Sequence, residues 1–83
     1  MFHKVKEVKA MKEYELLITF IDGTVKKYNI APLFHIWKPL QNLKEIPGLF
    51  WNVKTDLGGY GISWNDEIDL SCDELWENGI EQN

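Results

Sequence analysis

Apolar and polar positions alternate through "YELLITFIDGTVKKYNI", residues 14 to 30, with Leu16, Ile18 and Phe20 on one face and Leu17, Thr19 and Ile21 on the other. A period of two is the strand signal. Asp22-Gly23 between two β-rich runs marks a tight hairpin, because Gly takes the positive φ that such turns demand. A two-residue turn pairs Phe20 with Val25 and sets Leu17 beside Tyr28, on the opposite face. Both faces then carry apolar groups, as in a sheet covered on more than one side. Upstream, "HKVKEVKAM" is a further strand candidate.

The period changes at "APLFHIWKPL", where Leu33, Ile36, Trp37 and Leu40 follow the i, i+3, i+4, i+7 stripe of a helix. Pro32 suits the first helical position and Pro39 stops or bends the helix. "IPGLFWN" reads as a second short helical turn carrying Leu49, Phe50 and Trp51. "VKTDL" and "YGISW" read as strands joined through Gly58-Gly59, with Tyr60, Ile62 and Trp64 on one face. Ser71 with Glu74 forms a capping box, and Asp73 and Glu74 add negative charge where the helix dipole favours it. Gly79 sits where a left-handed cap belongs, with Ile80 placed to contact Leu75 in a Schellman-type ending. This last helix is about two turns long and must dock Leu75 and Trp76 on the sheet to persist. The pattern predicts a single α+β domain over residues 1–83, a small antiparallel sheet with two or three short helices.

Composition bounds what such a domain can do. Its 83 residues are 45% hydrophobic and 13% aromatic, which suits a compact core and argues against disorder. No apolar run approaches the ~20 residues of a membrane span, so no membrane partner is expected. "MFHKVKEVKA" lacks the apolar stretch and cleavage site of a signal peptide. A single cysteine, Cys72, excludes an internal disulfide framework and a CxxC motif. A reducing cytoplasm is the expected location.

Charge divides the chain. Residues 1 to 44 hold eight Lys against four acids, and residues 45 to 83 hold Lys54 alone against nine. The formal net charge is −4 and arginine is absent. Without guanidinium forks, and with net negative charge, nucleic acid is not expected as the ligand of this domain. Lys4, Lys6, Lys9 and Lys12 read as the solvated face of an edge strand.

The densest chemistry is "GGYGISWNDEIDLSCDE", residues 58 to 74. Gly59-Tyr60-Gly61 begins a GxGxxG whose third glycine position holds Trp64. Gly61 to Asn65 lacks the closing glycine of a nucleophile elbow. "NDEID" departs from the acid order of a calcium loop, although Asp66, Glu67 and Asp69 are hard-cation donor types. Cys72 at the start of the last helix is the one arguable nucleophile. The neighbouring carboxylates oppose its ionisation, and nothing in the sequence brings His3 or His35 near. It reads as a small buried residue. No catalytic, cofactor-binding or metal-ligating residue is assigned, and no enzyme is expected. An aromatic anchor with an acidic rim remains, Trp64 with Asp66, Glu67 and Asp69, suited to a basic partner. Trp64 also reads as a core residue, which leaves the acids for recognition.

The Phe20–Thr24 turn "FIDGT", Trp64 followed by the acidic "IDL" segment, and the closing "DELW" at Asp73 to Trp76 resemble the small bacterial domain-of-unknown-function 2442 family, over nearly the whole chain. The resemblance implies an α+β domain with no assigned catalytic activity. Some relatives look fused to a helix-turn-helix module that the sequence in hand does not hold, so DNA binding is not carried over. Members are also similar to the antitoxin-like halves of small two-gene modules. The expectation is a cytoplasmic interaction module, antitoxin-like, binding a basic protein through its acidic half. The alternative is a small-molecule or metal-responsive domain using the 58–69 hairpin as its mouth. A homodimer through a sheet edge is a further partner expectation.

Overall fold

The computed structural model describes residues 2–82. Its elements are β1 (Val5–Ala10), β2 (Glu15–Phe20), β3 (Val25–Asn29), α1 (Asn42–Glu45), β4 (Lys54–Thr55), β5 (Gly61–Ser63), β6 (Asp69–Ser71), α2 (Cys72–Asn78) and β7 (Ile80–Glu81). Two antiparallel sheets result, one ordered β1-β2-β3-β7 and the other β4-β5-β6. The fold is α+β, as the pattern predicts, with two sheets in place of one. They meet where β1 lies against β4 and β5, and one apolar cluster runs through both.

The alternation of β2 is expressed directly. Leu16, Ile18 and Phe20 are buried, while Leu17 and Thr19 are half-buried. Each large apolar side chain so removed from water stabilises the fold by roughly 1.5–3 kcal/mol. The hairpin register differs from the expected one. Thr19 pairs with Val25 and Leu16 with Tyr28, so Phe20 is not opposite Val25. The loop has three residues, closed by Phe20 N–H to the Thr24 carbonyl at 2.8 Å and by Gly23 N–H to the Phe20 carbonyl at 2.9 Å. Gly23 takes φ +94°, the left-handed step that ends a three-residue hairpin. The shift places Tyr28 on the buried face with Leu16.

Residues 31–41 do not form one helix. Short 3-10 turns cover Ala31–His35 and Lys38–Gln41, separated by Trp37 in extended conformation (φ −124°, ψ 104°). A 3-10 turn repeats every three residues, which carries Phe34 inward and leaves Ile36 78% exposed, off the predicted stripe. Leu40 is buried as predicted. Phe50–Asn52 is the expected short turn. β4 and β5 pair through the Gly58-Gly59 connection as the sequence indicates. Gly59 is required twice: its φ is +80°, and a Cβ there would sit 2.6 Å from the Val5 carbonyl oxygen. That contact brings the second sheet against β1.

The segment after Trp64 contains a strand, β6, whose Leu70 is buried after Ile68. In α2, Ser71 Oγ accepts the Glu74 N–H at 3.1 Å, one half of the capping box. The other half is absent, since the Glu74 carboxylate accepts from Tyr28 O–H at 2.6 Å and from Asn78 at 2.9 Å. The helix ending is also not the Schellman type. Gly79 is extended at φ −76°, ψ 156°, with its N–H on the Leu75 carbonyl, and Ile80 is 71% exposed in β7. Glycine is needed for space there, because a Cβ would lie 2.5 Å from the Leu75 oxygen and 3.1 Å from Lys26 Cβ. With no basic residue in the last turn of α2, Lys26 of β3 donates to the Trp76 carbonyl and lies 4.1 Å over its ring. This puts a cation where the helix dipole favours one.

Candidate functional site

The acidic turn is built on two buried side chains. Trp64 and Ile68 are both inside, and the Trp64 N–H donates to the Ile68 carbonyl at 3.0 Å, closing the loop between them. Asn65 organises its interior, with Oδ1 accepting from the Glu67 and Ile68 N–H groups at 2.9 and 3.0 Å. Side-chain mimicry of a backbone turn is what Asn does at such positions. The chain between the two anchors is therefore held while Asp66 and Glu67 project into solvent. Asp69, paired opposite Ser63 at the start of β6, is exposed beside them. Among the described residues none of the three carboxylates takes part in an ion pair.

The structure thus brings together three of the four residues singled out in the sequence. Trp64 is 5% exposed and its indole N–H donates to the Phe50 carbonyl at 3.0 Å, so its ring belongs to the core and offers nothing to a partner. A buried indole needs a hydrogen-bond acceptor, and Phe50 supplies it. The tryptophan that does face solvent is Trp51, 59% exposed. No charge pattern in its immediate neighbourhood marks it. Its signal is stereochemical, since a single 3-10 turn cannot send Leu49, Phe50 and Trp51 all inward.

The remaining chemistry of residues 58–74 is internal. Ser63 Oγ donates to Asp56 at 2.6 Å, tying β5 to the end of β4. Cys72 is buried, and burial first, then the Asp73 carboxylate, pushes its thiol pKa up. That is the reverse of what an activated nucleophile needs. Among the described residues no three His, Cys, Asp or Glu side chains are grouped to hold a metal ion, and no helix is long and apolar enough to cross a membrane.

Fold and site together define a small two-sheet α+β domain that presents an exposed, hydrogen-bonded acidic turn. The chain belongs to the family described as "Protein of unknown function (DUF2442)", whose model matches residues 5–81. No curated protein and no solved structure matches it.

Proposed function

We propose that this domain is a non-catalytic cytoplasmic interaction module, antitoxin-like, whose acidic turn receives a basic protein surface. The observation that carries the reading is the turn itself: three exposed carboxylates in no ion pair among the described residues, on a backbone held by Asn65 and anchored by Trp64 and Ile68. Pre-ordered charge spares the entropy of arranging a loop on binding and speeds encounter with an oppositely charged partner. An edge-to-edge homodimer has less to support it. Of the outer strands of the larger sheet, β7 has two residues and β1 lies against β4 and β5.

The test begins with tagged protein in its native source, washed across a salt series, the bound protein being identified by mass. The triple reversal Asp66→Lys, Glu67→Lys, Asp69→Lys is then compared with wild type in a binding-kinetics assay. The reading predicts one basic partner, released as salt rises and bound at least about tenfold more slowly by the variant. Unchanged association would show that the acidic turn is not the interface.

A further inference from the structure

Two surface hollows meet at the β1–β2 connection. One, of about 310 Å³, lies between Tyr14, Leu43, Ile46 and Phe50. The other, of about 500 Å³, runs along residues 9–15. Both are bounded by Met11, Glu13 and Trp51, so they form the two arms of one groove with the exposed indole between them. Hollows of this size accept a large side chain or a short segment. Trp51 at 59% and Ile46 at 48% exposure leave apolar surface in water, and a solvent-facing Trp is the residue type that most often carries binding energy.

The backbone beneath is unusual. Glu13 and Tyr14 both take positive φ, 60° and 61°, and consecutive left-handed residues other than glycine are strained. Packing maintains them: the Tyr14 ring meets Phe34 and Phe50 edge-on at 5.1 and 5.2 Å, and its carbonyl accepts the Ile30 N–H. The groove is therefore a fixed feature of the fold.

Its charge selects the occupant. Lys9, Lys12 and Lys44 stand on its walls, all exposed, and among the described residues none is in an ion pair. Of the lining acids, Glu15 already faces Lys27 at 3.9 Å. We infer that this groove is a second recognition surface, taking an acidic segment of a protein partner that seats an aromatic or large aliphatic side chain against Trp51. The absence of arginine disfavours the phosphate backbone of a nucleic acid. The inference does not rest on the acidic turn, none of whose residues lines the groove.

The test is a display selection on the full folded chain with a random dodecapeptide library, counter-selected against Trp51→Ala. The best synthetic peptide is then titrated into isotope-labelled protein. Enriched peptides are expected to place Asp or Glu beside an aromatic or large aliphatic residue, with amide shifts concentrated at residues 9–15 and 44–51. Affinity should fall at least about tenfold both in Trp51→Ala and in Lys9→Glu/Lys12→Glu, with thermal midpoints near wild type. Overturning results are no enriched binder, peptides without acidic bias, shifts centred elsewhere, or unchanged affinity in both variants. Tighter binding of an oligothymidine at these residues would replace the proposal with a nucleic-acid surface. Concentration-dependent self-association mapped there by sedimentation and amide shifts would replace it with a second copy of the chain.

Discussion

Trp64 and Trp51 each stand beside charge, and their surroundings reverse their roles. Trp64 adjoins the acidic turn but is buried, its indole N–H satisfied by the Phe50 carbonyl. Trp51 is exposed amid lysines of the basic half, its ring edge-on to Phe50 at 5.8 Å. Phe50 is the hinge of the comparison, since its carbonyl holds one indole inside and its ring backs the other outside. Charged neighbours in the sequence therefore do not identify an aromatic anchor. What decides is whether the ring's polar atom has an internal partner and whether the local turn leaves the ring a place in the core.

The sharpest way to break this contrast is to truncate both rings. Trp64→Ala removes a core indole and orphans a buried carbonyl, and about 3–5 kcal/mol of stability should be lost. That is a large share of what a domain of this size possesses. Denaturant unfolding checks it, and a loss near that of a surface substitution would remove Trp64 from the core. Gly59→Ala tests the seam between the sheet carrying the acids and the strand flanking the groove. Positive φ and the approach to Val5 should together cost roughly 2–3 kcal/mol, read as a lowered unfolding midpoint.

Tyr28→Phe comes next. It deletes the O–H bond to Glu74 that ties α2 to the larger sheet, for a loss of roughly 1.5 kcal/mol at neutral pH. The phenol's pKa is raised from its ordinary 10.0, by burial first and by Glu74 second. Above about pH 10 the unfolded chain therefore ionises while the folded one resists, and wild-type stability must fall with rising pH. The fall should be shallower in Tyr28→Phe, and an identical alkaline slope in the two proteins would contradict this assignment. Glu13→Gly should relieve left-handed strain under the groove and stabilise by roughly 0.5–1 kcal/mol. Smallest of all, Trp51→Ala should shift stability by no more than about 0.5 kcal/mol, in contrast with Trp64→Ala.

The same physics explains what could be read from the chain alone. Alternation in β2, the glycine hairpins and Ser71 as the N-cap are local signals, and each appears where it was expected. The one-residue register shift at Asp22-Gly23 arises because two- and three-residue loops share the same Asp-Gly chemistry. The broken helix around Trp37 was not legible, because four apolar residues at helical spacing read as one helix while the chain forms two successive 3-10 turns. Gly79 marks the right boundary for a different reason: the close approach of Lys26 is a long-range contact invisible to local pattern. Asp66, Glu67 and Asp69 are exposed on a turn shaped locally by Asn65 and its neighbours. The groove was not legible, because it joins Lys9–Glu15 to Lys44–Trp51 across the fold.

The central claim is that the acidic turn, and not the exposed tryptophan of the groove, receives the basic partner. Association of the captured basic protein should be followed with wild type, the Asp66/Glu67/Asp69 lysine triple variant and Trp51→Ala at low and raised salt. The account predicts slow, nearly salt-insensitive association for the triple variant, and wild-type rates for Trp51→Ala. Equal rates for the triple variant and wild type would contradict it.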